Sequence, residues 1–232
     1  MSAVVIMAGG RGLRLHPLTE RTPKPLLRVG SKPLLETIIV RFAEQGFRKF
    51  YLAVHYHADL IERYFGNGRR WEIVIEYLRE PEPLGTAGAI HLLPPMAGPF
   101  IVSNADILAD IDYRDLLGRH RENQSVGQRD ATVCVALYQH QVPFGVVGTD
   151  ADGRVIVREK PIENFQVVAG VYVLPPKAVW MSGPGKCDMP ELLDRLRVGT
   201  YEILGPWYDV GRFEDLTRAH VDWRINNETA VA

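Results

Sequence analysis

The chain begins with a short, entirely apolar segment that runs directly into a cluster of glycines. Residues 3–8 read AVVIMA, and Gly9, Gly10, Arg11 and Gly12 follow. A continuous apolar run of this length is typical of a strand that is covered on both faces in a parallel sheet. Glycines directly after such a strand let backbone amides approach a phosphate closely. The segment therefore predicts an α/β protein whose first strand ends at an anion-binding loop.

Strand-like and helix-like segments alternate over the first half of the chain. The predicted strands cover residues 50–54, 72–78 and 100–103, and the predicted helices cover residues 32–45, 58–65, 86–93 and 113–122. Such an alternation predicts a doubly wound, mostly parallel sheet, because parallel strands need crossover connections that are usually helical.

After about residue 123 the pattern becomes α+β. The predicted elements are strands at residues 131–137 and 167–174, a hairpin that turns at Asp152-Gly153, a helix capped by Asp188 and Glu191, and a helix at residues 213–223. The Asp-Gly pair predicts the turn of the hairpin, and the capping-box residues predict the start of the helix. We expect one domain over residues 1–225, with a core in residues 1–123, a small cap in residues 124–225, and a tail in residues 226–232.

Composition limits the partners of the chain. Hydrophobic residues make up 46% and charged residues 24%, and the net charge is −1, whereas a nucleic-acid-binding domain is usually basic. The apolar start is too short for a secretory signal or a membrane span. Two cysteines do not make a disulfide framework. We therefore expect a cytoplasmic protein without a nucleic-acid or membrane partner.

Basic residues concentrate around the glycine-rich loop. Residues 9–32 contain one acid, Glu20, and six bases, namely Arg11, Arg14, Arg21, Lys24, Arg28 and Lys32. A dinucleotide-binding loop would need glycine at Leu15, and a Walker A loop would need Gly-Lys-Ser/Thr, which this sequence lacks. A flexible cationic loop at the end of a buried strand indicates a site for a triphosphate.

Residues 5–27, VIMAGGRGLRLHPLTERTPKPLL, resemble the start of the sugar-phosphate nucleotidyltransferases. The spacing of Arg14 and Lys24 is similar to that of this branch rather than to that of the related cytidylyltransferases. Further similar segments follow in the family's order: EPLGTAGA at 82–89, SNAD at 103–106, PFGVV at 143–147, EKP at 159–161, AGVY at 169–172 and WYDVG at 207–211. Leu13, Ala105 and Val168 depart from the family's usual Thr, Gly and Asn.

The resemblance implies an Mg²⁺-dependent reaction in which a nucleoside triphosphate and a sugar 1-phosphate give a nucleotide sugar and pyrophosphate. It implies catalytic roles for Arg14, Lys24 and Asp106, and Mg²⁺ binding by Asp106 and Asp209. The implied nucleotide-binding residues are Ala8, Gly9, Gly10, Arg11, Gly12, Gly85, Thr86 and Gly88. The implied sugar-phosphate-binding residues, in the predicted cap, are Gly145, Glu159, Lys160 and Gly170.

The base and the reaction class each have alternatives. The EPLGTAGA segment looks more like guanylyltransferases of mannose, heptose or amino-sugar phosphates than like thymidylyltransferases, which favours GTP. One alternative is a glycosyltransferase that uses Asp110 and Asp112, although a helix cap before Tyr113 is the favoured interpretation of that pair. Another is a non-catalytic nucleotide-sugar sensor. A homodimer is the default expectation for the assembly.

The pair His55 and His57 also invites a zinc-site interpretation, because both histidines follow a predicted strand. No cysteine or acidic residue stands at ligand spacing from them, so surface histidines are favoured. Any of the glycines assigned to the base or the sugar could also be an ordinary turn former.

Overall fold

The structure, a computed structural model, describes residues 2–125, 127 and 129–228. The strands are β1 (Val4–Met7), β2 (Arg28–Val29), β3 (Lys32–Pro33), β4 (Lys49–Val54), β5 (Val74–Arg79), β6 (Phe100–Asn104), β7 (Ile107–Ala109), β8 (Ala131–Gln141), β9 (Val146–Thr149), β10 (Val155–Arg158), β11 (Ile162–Leu174), β12 (Val198–Glu202) and β13 (Trp207–Asp209). The α-helices are α1 (Leu34–Glu44), α2 (Ala58–Phe65), α3 (Tyr113–Ser125), α4 (Ala178–Met181), α5 (Met189–Leu193) and α6 (Phe213–Glu228). Short 3-10 helices cover Leu13–Leu15, Lys24–Leu26, Arg69–Trp71 and Gly88–Leu92.

Seven strands form one central sheet in the order β12-β8-β11-β6-β1-β4-β5. Strand β1 pairs in parallel with β4 and β6, β4 pairs in parallel with β5, and β8 pairs in parallel with β12. Strand β11 is antiparallel to both of its neighbours, β6 and β8. The other six strands of this sheet therefore run in one direction, which confirms the predicted mostly parallel, doubly wound fold.

The order of strands reverses next to β1. From β1 the chain adds β4 and β5 on one side, and then returns to add β6 on the other side. In open α/β sheets, ligands bind outside the carboxyl ends of the strands at such a reversal. Met7 pairs with Asn104 across β1 and β6. The residues that follow these two strands therefore leave the sheet side by side and border one crevice.

Apolar cores lie on both faces of the sheet. Alternate residues of β1 point to opposite faces, so Val4 and Ile6 belong to one core and Val5 to the other. In the first core the ring of Phe42 stacks on Tyr113 with a centroid distance of 3.8 Å. Burial on both faces explains why the first strand has no polar residue, since any side chain there enters a core.

The predicted helix at residues 86–93 is wrong, because that segment forms only the 3-10 helix Gly88–Leu92. The amides of Ala87 and Gly88 both donate to the carbonyl oxygen of Cys187 instead of entering a helix. The segment is thus tied to a distant part of the chain, and such a contact is invisible to local helix periodicity.

The bounds of two other helices also differ from the prediction. The helix predicted from residue 32 begins at Leu34, because Lys32–Pro33 pairs with Arg28–Val29 in a small ribbon. The capping box of Asp188 and Glu191 is present, as predicted. The last helix continues to Glu228 instead of ending at residue 223. Residues 229–232 of the predicted tail lie outside the described residues.

Strands β8 and β11 extend beyond the sheet and, with the hairpin β9–β10, form a projecting arm. We define the arm as residues 137–167. Its ladder pairs Gln141 with Ile162, and β9 pairs with β10 around the predicted turn. Every residue of β10 is exposed. Within the part of the chain that the structure describes, no helix is both long enough and apolar enough to cross a bilayer.

The imidazole of His120 on α3 is completely buried. Its Nδ1 lies 3.0 Å from the hydroxyl of Thr132, while Nε2 has no hydrogen-bond partner among the described residues. Burial lowers the pKa of His120 because desolvation disfavours the charged ring, and the charge of Arg121 adds to this effect.

We expect His120 to make the protein acid-sensitive. Its pKa is lowered in the folded state, so the unfolded chain binds the proton first as the pH falls below about 6.5. Stability is therefore highest above that pH and decreases toward the lowered folded pKa. His120→Gln should flatten the dependence of the unfolding free energy on pH between about pH 7 and pH 5, measured by urea titration. The exposed His91→Gln should keep the wild-type slope, and an unchanged slope in His120→Gln would contradict the prediction.

Candidate active site

The glycine-rich loop leaves β1 and turns back over the end of the sheet. Gly12 has a φ of 63° and caps the 3-10 helix Leu13–Leu15. A Cβ at this position would lie 3.1 Å from the Cβ of Lys24, so both the backbone angle and the close approach favour glycine. The loop borders a cavity of about 550 Å³, the glycine-loop cleft. Its lining residues are Met7, Ala8, Gly9, Gly10, Arg11, Gly12, Leu13, Arg14, Lys24, Pro25, His55, Pro83, Ala105 and Asp106.

Lys24 and Asp106, which both line this cleft, form an ion pair. Asp106 follows β6, and the ammonium of Lys24 donates to its carboxylate. Lys24 is only 8% exposed. A charge buried to this degree needs a partner, because removal of one member leaves the other uncompensated. The sequence prediction that Lys24 and Asp106 share one site is therefore consistent with the geometry.

Asp209 comes to the same place from the other half of the chain. Strand β13 pairs with β7 so that Asp209 lies opposite Ile107, and the amide of Val210 donates to the carbonyl oxygen of Asp106 at 2.9 Å. Partial burial raises the pKa of Asp209, and the negative charge of Asp106 raises it further. The positive charge of Lys24 acts in the opposite direction. The two carboxylates thus interact electrostatically.

Arg14 joins Lys24, Asp106 and Asp209 to form a cluster of four charged side chains. Its 3-10 helix follows the glycine loop, and its guanidinium lies close to Gly211, where an added Cβ would be 3.5 Å from Nη1. The same Cβ would be 3.1 Å from Oδ1 of Asp209. The predicted residues Arg14, Lys24, Asp106 and Asp209 therefore converge where the strand order reverses.

The carboxylate pair fits a hard divalent cation. Mg²⁺ is usually held by one or two carboxylates together with substrate phosphate oxygens. Asp106 and Asp209 supply two such groups, and the charge of Asp106 acts on the carboxylate of Asp209. Among the described residues no cluster of three or more His, Cys, Asp or Glu side chains could hold a metal without further ligands. Water and oxygens from a bound substrate would complete the coordination of a cation here.

Two further cavities adjoin the cluster. One, the arginine cavity, has a volume of about 560 Å³ and is lined by Arg14, Leu137, Tyr138, Gln139, Trp207, Tyr208, Asp209, Arg212, Asp215 and Arg218. The other, the apolar cavity, has a volume of about 690 Å³ and is lined by Thr86, Asn104, Ile107, Tyr138, Val167, Val168, Gly170, Tyr172, Met189, Pro190, Leu193, Asp194, Trp207 and Asp209. They share Tyr138, Trp207 and Asp209.

The segment expected to contact the base packs against another loop of the protein, residues 185–189. A Cβ at Gly85 would lie 2.6 Å from Oδ1 of Asp188, and one at Gly88 would lie 2.8 Å from the carbonyl oxygen of Gly185. The hydroxyl of Thr86 accepts the amide of Met189 at 2.7 Å. These residues therefore fit loop 185–189 closely, and Thr86 borders the apolar cavity rather than the glycine-loop cleft.

Three of the four residues expected to bind the sugar phosphate lie on the arm. Gly145, Glu159 and Lys160 are exposed and line none of the three cavities. Gly170 does line the apolar cavity. Its φ is 75°, and an added Cβ would lie 2.9 Å from the side-chain nitrogen of Asn104, so glycine is required there by the protein itself.

The alternative metal motifs have structural partners elsewhere. Asp112 accepts the amides of Arg114 and Asp115 at 2.9 Å and so caps α3, as the favoured interpretation expected. Asp110 forms an ion pair with Arg41. His57 lies 3.2 Å from the carbonyl oxygen of Glu20. None of these side chains lines the glycine-loop cleft.

Some lining residues were missed by sequence reasoning. His55 borders the glycine-loop cleft, and the ring nitrogen Nδ1 lies 3.0 Å from the carbonyl oxygen of Glu80. Its position at the end of a strand next to β1 was the signal that could have found it. Arg212 and Trp207 line the arginine cavity. Arg212 directly follows the WYDVG segment, but nothing in the local pattern indicates that it faces Arg14.

Fold and site together define an α/β protein with a cationic glycine loop and a carboxylate pair at the carboxyl edge of its sheet, where such proteins bind anionic ligands. Residues 3–225 match the model of the nucleotidyl transferase family, and the chain belongs to that family. This membership confirms the resemblance found in the sequence.

The relatives include several mannose-1-phosphate guanylyltransferases. The chain is 31% identical over 227 residues to the mannose-1-phosphate guanyltransferase of Yarrowia lipolytica, covering 91% of this chain and 61% of the relative. It is 31% identical over 234 residues to the mannose-1-phosphate guanylyltransferase of Mycobacterium tuberculosis, covering 94% and 63%. The chain therefore spans less than two thirds of the length of these relatives.

A solved structure resembles the chain over nearly its whole length. The crystal structure of HddC from Yersinia pseudotuberculosis complexed with GMP-PN is 25% identical and has a TM-score of 0.73. The similarity covers 96% of this chain and 100% of that one.

The raised pKa of Asp209 predicts that this carboxylate destabilises the protein when no ligand is bound. A raised folded pKa favours the protonated form, so ionised Asp209 lowers stability above that pKa and less so as the pH falls. Asp209→Asn should therefore raise the melting temperature measured with a chelator at about pH 8, because the amide carries no charge that burial and Asp106 disfavour. Asp152→Asn, in the exposed hairpin turn, should leave it unchanged. A lower melting temperature for Asp209→Asn would contradict the prediction.

Proposed function

We propose that this protein transfers a guanylyl group from GTP to a sugar 1-phosphate and releases pyrophosphate. One observation carries the proposal: Arg14, Lys24, Asp106 and Asp209 converge beside the glycine loop at the reversal of the strand order. The names of the relatives, which pair guanylyl transfer with mannose 1-phosphate, support the choice of base and of substrate class.

The reaction joins two anions, so the protein must position them and neutralise their charge. A phosphate oxygen of the sugar 1-phosphate attacks the α-phosphorus of the nucleotide. The bond from that phosphorus to the oxygen that bridges to the β-phosphate breaks, and pyrophosphate leaves with the electron pair. Glycine-loop amides and Arg11 would hold the triphosphate. Arg14 and Lys24 would stabilise the negative charge on the α-phosphate and on the leaving group.

Mg²⁺ is the proposed cofactor, and Asp106 and Asp209 would hold it. When bound, it would supply further neutralisation of the charge on the phosphates. Before a substrate binds, the ammonium of Lys24 compensates the carboxylate of Asp106. That contact keeps both side chains oriented toward the cleft, so little reorganisation is needed when phosphates arrive.

We also propose that different parts of the chain bind the two substrates. Residues 1–123 would bind the nucleotide and residues 124–225 the sugar phosphate, within one domain. Cys134 and Cys187 are free and buried, which fits a cytoplasmic location because cytosolic thiols stay reduced. The homodimer stays a prediction. The structural roles of Asp110 and Asp112 speak against the glycosyltransferase alternative.

Pyrophosphate release tests the proposal directly. Purified protein with Mg²⁺ should release pyrophosphate only when GTP and a sugar 1-phosphate from a panel including mannose 1-phosphate are both present. Asp106→Asn should lose turnover about 100-fold or more, because the carboxylate acts on the charge of the transition state. Asp152→Asn should keep full activity. Nucleotide binding without turnover across all nucleotides and sugars would instead favour the sensor alternative.

Gly10→Ala separates a binding role of the loop from a folding role. A Cβ at Gly10 would meet no protein atom within 4 Å, and its φ is not in the left-handed region. The fold should therefore tolerate alanine with an unchanged melting temperature, whereas the KM for GTP should rise about tenfold because the methyl group keeps phosphate away from the amides. Gly98→Ala, which also meets no atom within 4 Å, is the matched control. An unchanged KM in Gly10→Ala would show that phosphate does not approach this amide.

A further inference from the structure

The arginine cavity contains a cation that the proposed mechanism does not use. Arg212 precedes α6, and its backbone amide donates to the carboxylate of Asp215 at 3.1 Å. Its guanidinium has no hydrogen bond or ion pair within the part of the chain that the structure describes. Arg212 is thus an exposed cation that lines a cavity of about 560 Å³, and its guanidinium has no partner among the described residues.

The protein backbone brings Arg212 close to the reacting region. Gly211, its neighbour, is buried, and a Cβ there would lie 3.1 Å from Asp209 and 3.5 Å from the guanidinium of Arg14. The third arginine of the cavity, Arg218, lies over the ring of Tyr208 at 5.9 Å. Three arginines and two aspartates therefore line the arginine cavity, and one of those aspartates already caps α6. The balance favours an anionic ligand.

The position of the cavity indicates which anion it would take. The arginine cavity shares Arg14 with the glycine-loop cleft, where the nucleotide would lie. It shares Tyr138, Trp207 and Asp209 with the apolar cavity of about 690 Å³. An anion here would have a nucleotide on one side and, on the other, room for an attached bulky group beside aromatic rings. A sugar 1-phosphate has that combination, whereas pyrophosphate has no group to place in the apolar cavity.

We infer that Arg212 binds the phosphate of the sugar 1-phosphate in the arginine cavity; the inference rests on the proposed function. A guanidinium suits this task because it can donate two parallel hydrogen bonds to phosphate oxygens. The phosphate would then lie beside Arg14 and Asp209, on the opposite side of Arg14 from the triphosphate. The resemblance assigns this task to Lys160. Both side chains are exposed, but Arg212 lines the arginine cavity, whereas Lys160 lies on the arm and lines none of the three cavities.

Steady-state kinetics with GTP and mannose 1-phosphate tests the inference. Arg212→Ala should raise the KM for mannose 1-phosphate about tenfold or more, as expected for a lost charged hydrogen bond, and leave the KM for GTP within about twofold. Arg212→Lys should recover part of the loss. Arg63→Ala, an exposed arginine on α2, should match the wild type. A larger effect on the KM for GTP, or no effect on either KM, would overturn the inference.

Lys160→Ala, measured beside these variants, distinguishes the two assignments. If Lys160→Ala alone raises the KM for mannose 1-phosphate, the inference is wrong. If the wild type turns over no pair of substrates, the proposed function fails, and calorimetry with mannose 1-phosphate then decides the binding role. Binding by the wild type that is lost in Arg212→Ala supports the inference, and equal binding by both proteins, or none by either, overturns it.

Discussion

The parallel pairing of β1 with β6 determines where the charged groups of the site can lie. Because Met7 pairs with Asn104, the glycine loop and Asp106 leave the sheet next to each other. Parallel strands have all their carboxyl ends at the same edge, and the reversal of strand order leaves that edge open beside β1. A one-residue shift in this register would turn the side chains that follow β6 to the other face of the sheet. Positioning the carboxylate is therefore a consequence of packing the apolar interior.

The two neighbouring carboxylates are an electrostatically unfavourable pair, which Lys24 offsets in part and the apolar cores support. Two carboxylates and a nearly buried ammonium stand together, and the raised pKa of Asp209 reflects burial and its proximity to Asp106. Each buried apolar side chain contributes about 1.5–3 kcal/mol, so the many such side chains on both faces of the sheet can hold these charges in place. Charge that is fixed in advance is what electrostatic catalysis requires, because it does not need to reorganise during the reaction.

The parts of the fold that depend on local pattern could be predicted from the sequence. The first strand, the helix Ala58–Phe65 and the capping box of Asp188 were recognisable because apolar spacing and cap residues act over a few positions. The convergence of Arg14, Lys24 and Asp106 was implied by family resemblance. Residues 86–93, which form no α-helix, and the glycines that were expected to contact the base both pack against a loop about 100 residues away, at Cys187. No periodicity in the sequence encodes that contact.

Arg212 shows the same limit within the site. It follows Arg14 by 198 positions, and the two line one cavity because β13 pairs with β7 directly after Asp106. Residues 1–123 and the residues after 123 are therefore joined twice, once through the central sheet and once through this small ribbon. The ribbon of β7 and β13 positions both Asp209 and Arg212. A shift of β13 would therefore alter the carboxylate pair and the arginine cavity together. A division at residue 123 therefore does not separate two independent parts of the structure, because strands from both sides of it pair with each other.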